Sequence, residues 1–517
     1  HRPPRLHRRL TPRAYPMTDK SQIKRLYDPA DAASIFGYSS KLLNSTLAEV
    51  MAIIDPNVTA DDMIRGGKGS LGNMVEEFFF GYQPNSDTRP DFHEAGVELK
   101  VTPLKRGKSD VRLIKERLVI DMINYCTVVE QKFEDSLLYK KFLLMLIIFY
   151  IHEKNTPWKD MMFIYSVLWA IKEKDLELIR QDYEKIINKI KSGLAHEISE
   201  SDTYYLAACT KGQDSTKTRK QPFSDVPAKS RAFSLKPSYT RTILDFVRNS
   251  GTNMATNTGI VPKTKSLVSA DDLKKSTFEE ILSKRFEPYY GKDYKELSKL
   301  LGMKISPKEK SKYARIAKRI LLKGLNNFED AEEIRKAGII AKTIRIEANG
   351  CIKEHMSFEN IDYQEVYDTD DWTDSRWYEI VNSRMMLIVF RQEDKKSRIW
   401  KDEKRYVLDK IVFTSLPNDV IDEAEQYWNN IKQNVTNNTL RDSNEDCEHS
   451  EVNTFWRISD KKNFHVRPKA QTSKDLTASP ITGEPVRKKC YWLDNKYLKH
   501  ILQLAYSEEW NKKFAKR

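Results

Sequence analysis

With 517 residues, 31% charged and 39% hydrophobic, the chain has material for roughly two to four domains and suits a folded protein with a polar surface. Lys and Arg exceed Asp and Glu by 14 and the pI is near 9.2, which favours a polyanionic partner, nucleic acid before membrane. The five cysteines (126, 209, 351, 447 and 490) have no paired spacing, so neither zinc nor disulfides are implied and a cytoplasmic protein with reduced thiols is expected.

Residues 1–16 carry five Arg, four Pro and no acid. They are expected to be a cloning remnant or upstream-translated segment outside the fold, and without them the excess of basic charge falls to nine. A capped helix is predicted from Asn44 or Ser45 with Glu49. It leads to a Gly-rich turn at 66–72, which is no dinucleotide site because Thr59–Arg65 before it is not a buried strand. It is no P-loop either, since Gly69 follows Lys68 where Ser or Thr is needed, so no nucleotide cofactor is implied. The turn opens into a helix over Leu71–Phe80 carrying Glu76 and Glu77.

Next comes Asp91-Phe-His-Glu-Ala-Gly-Val-Glu-Leu-Lys100, with Pro90 and Gly96 as hairpin signals before a β-forming run. In a strand Val97, Leu99 and Val101 face the core, while Glu98 and Lys100 share the other face, roughly 7 Å apart. With Asp91 arriving from the adjoining turn, the group could hold a divalent metal beside a basic partner. Phosphodiester hydrolysis needs that set: hard oxygen ligands for Mg²⁺ at the phosphate and a Lys to steady the attacking water or the developing charge. The competing reading from spacing alone is the solvated face of an edge strand.

A basic stretch follows (Lys105, Arg106, Lys108, Arg112, Lys115, Arg117), then the most apolar run, Phe142–Ile151. Ten residues cannot span a bilayer, so no membrane association is implied, and the run reads as a central, doubly covered strand. An amphipathic helix is predicted over Asp175–Ser192, a strand over Tyr204–Ala208 leading into Cys209-Thr-Lys211-Gly, and a closing helix to Val247. Residues 248–268 are linker-like in composition.

The second half repeats the first in outline. Ala337–Thr343 can be laid on Ala95–Val101, and Tyr491-x-Leu493 with Tyr497 on Phe233-x-Leu235 with Tyr239, two anchors in the same order. Ile340 then stands where Glu98 is, so the second copy is expected to be catalytically dead and kept for binding. Asp368, Asp370, Asp371 and Asp374 hint at calcium, but Thr373 occupies the position where a calcium loop needs Gly, and a solvated acidic loop is the better reading. Arg467 and Lys469 lie at the end of a short strand in a basic run, where Arg suits bidentate reading of guanine.

At Lys68–Glu76, Asp91, Ala95–Lys100, Arg467–Ala470 and Tyr491–Leu493 the sequence resembles the MutH family of GATC-specific endonucleases, most of all its two-domain type II restriction enzymes. The resemblance covers nearly everything from Met17 onward. It implies an α/β fold of two tandem restriction-endonuclease-like domains, each a mixed central sheet flanked by helices: a catalytic domain over 17–247, a linker over 248–268 and an inactive DNA-binding or effector domain over 269–517. It also implies Asp91 and Glu98 as Mg²⁺ ligands, Lys100 as the group positioning the nucleophile and Glu76 as the helix carboxylate. Glu77 has the family's usual spacing ahead of the Asp and Glu76 stands one residue further, although continuous matching along the helix favours Glu76. Lys211, Arg467, Pro468 and Lys469 fall on the DNA-reading loops of the two copies. Cleavage of duplex DNA at GATC is the implied activity, with a second DNA site and a DNA-induced dimer as partners. The alternatives are a methyl-directed repair nickase and a non-catalytic DNA-binding regulator.

Overall fold

A computed structural model describes residues 26–61, 63, 71–82, 89–107, 112–153, 155–211, 217–258, 266–322, 330–393, 404–443, 452–468 and 475–514. The Gly-rich turn through Ser70, residues 1–16, Lys469 and Ala470 lie outside the described residues. The chain forms two units: residues up to 103 with 143–169 and 247–258, and residues 104–142, 170–246 and 259 onward.

The first unit is built on a sheet in which β1 (Ser45–Thr46), β6 (Met162–Trp169), β5 (Met145–Ile151) and the start of β2 (Glu98–Arg106) lie in that order. The apolar run predicted as a central strand supplies β5, buried from Met145 to Phe149, while its first residues end the helix Leu137–Leu143. A short apolar run fits either state, and the boundary falls where this one leaves the helix. Within the stretch read as a linker, Met254–Thr256 forms β11 and pairs parallel with β6. The helix predicted from Asn44 or Ser45 spans Leu47–Ile54, capped by a Thr46–Glu49 box. Ser45 and Thr46 pair first with Phe163 and Met162, which delays the helix until their backbone is free. One core joins Ile35, Leu47, Val50, Met51, Val75, Phe79, Phe80, Phe92, Val97, Leu146 and Ile148. Each such side chain contributes about 1.5–3 kcal/mol by leaving water.

The second unit holds the rest of the first copy and all of the second. The first copy's part has β3 (Arg112–Ile114) on the far end of β2, and a sheet of β4 (Leu118–Met122), β10 (Arg231–Leu235) and β7 (Leu206–Thr210) in that order. A hairpin of β8 (Thr218–Gln221) and β9 (Ser224–Lys229) and the helices Glu173–Lys191 and Pro237–Arg248 complete it.

The second copy repeats this layout. Strands β12 (Ile340–Ile346), β14 (Met385–Gln392) and β15 (Tyr406–Thr414) follow the order of β2, β5 and β6. Strands β13 (Met356–Asn360), β19 (Lys489–Leu493) and β16 (Phe464–Pro468) follow that of β4, β10 and β7, and the hairpin recurs as β17 (Leu476–Ala478) and β18 (Pro485–Arg487). Helix Asn418–Thr436 matches Glu173–Lys191 in length, 19 residues each. Even the entry to the sheet is shared: Gly96 at φ 65° and Gly338 at φ 64° turn the chain. The Glu98 N–H then donates to the Leu144 carbonyl, and the Ile340 N–H to that of Arg384, each at 3.0 Å. The fold is mixed α/β and the duplication read from two short anchors extends through both copies.

Candidate active site

The hairpin around Gly96 closes by two backbone hydrogen bonds, Phe92 N–H to Val97 O at 2.9 Å and Val97 N–H to Phe92 O at 3.1 Å. A left-handed residue at the turn is required, and glycine takes φ 65° without strain. The closure sets Asp91 beside the first residues of β2, where its Oδ2 accepts the Leu99 N–H at 2.8 Å. Lys100 donates from Nζ to Glu98 Oε1 at 2.6 Å, as two residues on one face of a strand allow. Glu98 is 1% exposed and Thr102 on the same face is also buried, so this is not the solvated side of an edge strand.

The fourth group comes from the helix Leu71–Met74, which passes into a π-turn over Val75–Phe79 with Phe80 N–H on Val75 O at 3.0 Å. A π-turn takes one residue more than an α-turn and recurs at functional sites. Here it contains both Glu76 and Glu77. Tyr27 and Tyr38 pin its end, their hydroxyls donating to Phe80 O at 2.7 Å and Phe79 O at 3.3 Å. Glu76 faces the cluster: burial first, then the Asp91 carboxylate, push its pKa up to about 7, with Glu98 and Glu77 adding to the rise and Lys100 opposing it. Three carboxylates and one ammonium thus meet at the start of β2. Crowded like charges of this kind are relieved by a hard divalent cation, so the donor set fits Mg²⁺.

The remaining residues singled out in the sequence lie in the second unit. Lys211 is exposed just after β7, its N–H bonded to Ser230 O at 2.8 Å. Arg467 and Pro468 are exposed at the end of β16, with the Arg467 guanidinium 5.1 Å from the Trp492 ring. The pairing of β7 with β10 and of β16 with β19 makes Cys209 the counterpart of Arg467 and Thr210 that of Pro468. In the acidic loop, Asp371 accepts the Thr373 N–H, Asp368 accepts from Gln364, and Asp374 pairs with Lys115, so those three carboxylates have protein partners. Tyr27 and Tyr38 carried no signal in the sequence, since an aromatic residue 41 or 53 positions from the carbonyl it holds has no spacing to betray it.

The sequence model described as the DNA mismatch repair enzyme MutH matches residues 80–182. The chain is 32% identical over 477 residues to the type II restriction enzyme Sau3AI of Staphylococcus aureus, covering 85% of this chain and 93% of that enzyme. It is 26% identical over 223 residues to the DNA mismatch repair protein MutH of Yersinia enterocolitica, and 24% over 228 residues to that of Shewanella baltica. Those matches cover 42% and 44% of this chain and 93% and 99% of the two repair proteins. Identity of that extent with a restriction enzyme, on a duplicated fold, means that the chain belongs to the MutH-like endonucleases, in the two-domain branch of the type II restriction enzymes.

Proposed function

We propose that this nuclease hydrolyses double-stranded DNA at GATC with Mg²⁺ as cofactor. The first copy (17–247) performs the chemistry, 248–268 link the copies, and the second copy (269–517) binds another GATC site without cutting it. The observation that carries the reading is the meeting of Glu76, Asp91, Glu98 and Lys100 at the start of β2. Asp91 and Glu98 hold the metal, with Asp91 oriented by the Leu99 N–H. When bound, Mg²⁺ polarises the phosphoryl group and stabilises the leaving oxygen. The Lys100 ammonium positions the water that attacks phosphorus, with no covalent intermediate, and steadies the charge that develops there. Glu76 keeps a proton on its carboxyl near neutrality until a cation is bound. Lys211, Arg467, Pro468 and Lys469 face the DNA, which a dimer assembled on it engages in the cytoplasm. No helix among the described residues is long and apolar enough to cross a membrane.

Ile340 in place of Glu98 supports the division of labour, because it removes a metal ligand from the second copy while Lys342 stays in the Lys100 position. Digestion of a plasmid bearing one GATC, with and without Mg²⁺, followed by sequencing of the ends, tests the proposal. Double-strand ends at GATC that require Mg²⁺ are expected. Nicks alone would return the repair-nickase reading, and binding without any cutting would leave a DNA-binding regulator.

A further inference from the structure

We propose that the second copy carries a transition-metal site of its own, formed by His355, His465 and Asp494 and suited to Zn²⁺. The three residues come from different strand ends that the sheet brings together. His355 immediately precedes β13, His465 is the second residue of β16, and Asp494 follows β19 and caps the helix Asn495–Tyr506. The register sets Met356 opposite Leu493 and His465 opposite Trp492, so the three side chains converge. One ligand atom from each lies within 4.8 Å of the others. His355 Nδ1 and Asp494 Oδ2 are 3.4 Å apart, and the two imidazole rings stand edge to face with centroids 4.7 Å apart.

The second observation is His465 itself. It is 0% exposed, and among the described residues neither of its ring nitrogens has a hydrogen-bond partner. A neutral imidazole carries one donor and one acceptor, and leaving both unmet in a core is costly. His355 Nδ1 accepts the Asn495 N–H at 3.1 Å, a hydrogen bond that a metal taking the same lone pair would displace.

The first copy explains why a cation belongs here. Matching Leu235 to Leu493 through their strand partners puts Arg117, Ala207 and Lys236 at the positions of His355, His465 and Asp494. There the first copy has two cationic heads, with Lys236 donating to Thr203 O at 2.5 Å and Arg117 3.5 Å from Glu200. The second copy has exchanged both cations for ligands. A divalent ion would return positive charge to the same place. Two imidazoles and a carboxylate, with water in the fourth position, suit zinc, whereas Mg²⁺ and Ca²⁺ select all-oxygen sets. Bonds of about 2.0–2.1 Å need ligand atoms roughly 3.3 Å apart; His355 Nδ1 and Asp494 Oδ2 are already 3.4 Å apart, and His465 has a ligand atom within 4.8 Å of one on each of the other two. Bound metal would fasten β16, two residues before Arg467, to the base of the helix.

Chelator-stripped full-length protein is titrated with Zn²⁺ against a chromogenic chelator, and separately with Co²⁺ while visible absorption is recorded. One Zn²⁺ per chain and a tetrahedral Co²⁺ band are expected in the wild type and in Glu98→Ala. His355→Gln and Asp494→Asn should each lose the band and weaken Zn²⁺ uptake by at least roughly tenfold. His355 is partly exposed, so His355→Gln should fold, and circular dichroism in chelator checks it. The same Zn²⁺ affinity in the wild type and in both variants, or no uptake by the wild type, would overturn the site and leave a packed histidine pair.

Discussion

At the scale of single residues, Asp91, Glu98 and Lys100 were legible because a strand's alternation fixes which side chains are neighbours. What the alternation could not show was burial: it left Glu98 as open to water as any polar strand residue, and only the covering of both faces makes it a buried carboxylate. If Asp91 and Glu98 are metal ligands, as proposed, they act on the transition state more than on the bound ground state. Asp91→Ala or Glu98→Ala should therefore abolish cleavage and leave binding to a GATC duplex in Ca²⁺ within a few-fold. Gel shifts beside a cleavage assay read both, and retained cutting by Glu98→Ala would remove the site assignment. The Glu76 carboxyl adds a pH dependence. Its pKa rises from 4.5 to about 7 in the metal-free protein, through burial first and then Asp91. The folded chain thus binds more protons than the unfolded chain in this window, so the contribution of Glu76 to metal-free stability is complete below 4.5 and lost as pH climbs through 7. Cation uptake at pH 6 must expel that proton. Calorimetric titration of Mg²⁺ in two buffers of different ionisation heat should show close to one proton released at pH 6 and almost none at pH 8.5. Equal release by wild type and Glu76→Gln would exclude Glu76 as its source.

Among the elements, long periodic helices and the β5 core were readable, whereas the π-turn was not. Nothing in Val75-Glu-Glu-Phe-Phe79 departs from an ordinary helical pattern. The turn exists because Phe79 and Phe80 both reach the core, at 0% exposure, while Tyr27 and Tyr38 hold their carbonyls. Strand β11 was hidden for another reason: Met-Ala-Thr is too short to show a period and earns its place only by pairing with β6. Both adjacent glutamates lie in the π-turn, and the assignment of Glu76 predicts their ranking. Glu76→Ala should cost roughly a hundredfold or more in cleavage rate, the loss typical of removing one charge-stabilising group, and Glu77→Ala less than about tenfold. Single-turnover cleavage of a one-site duplex measures both, and the reverse ranking would mean that the helix presents its other glutamate to the metal.

Across the whole molecule, the duplication was visible in two anchors, but the way the copies share a unit was not, because ion pairs between distant segments leave no spacing in a sequence. Lys336 reaches Asp175 at 2.6 Å, Arg241 reaches Glu379 at 2.7 Å, and Lys174 reaches Glu332 at 2.9 Å, each pair joining the copies. Lys105 donates to Glu365 Oε1 at 3.1 Å and to Asp374 O at 3.0 Å, a further contact between the copies. Separated halves would leave Asp175 without Lys336 and Glu333 without Lys174, both carboxylates being almost fully buried, and removing one member of a buried pair is strongly destabilising. The second copy is therefore best tested in the full chain. If it binds GATC, an uncut GATC duplex added in trans should change the rate at which the full-length enzyme cuts a single-site substrate, and a duplex lacking GATC should not. Arg467→Ala should shift the concentration of trans duplex needed to a value about 5- to 150-fold higher, since a bidentate Arg contact contributes about 1–3 kcal/mol. We propose that such a coupling would run through β2, which carries Glu98 and Lys100 at its start and Lys105 near its end. Replacing Lys105 by Met should accordingly flatten the response to trans duplex while leaving all four site residues in place. An unchanged rate at saturating trans duplex in the wild type would leave the second copy as a scaffold, with its exposed Arg467 serving the cut site alone.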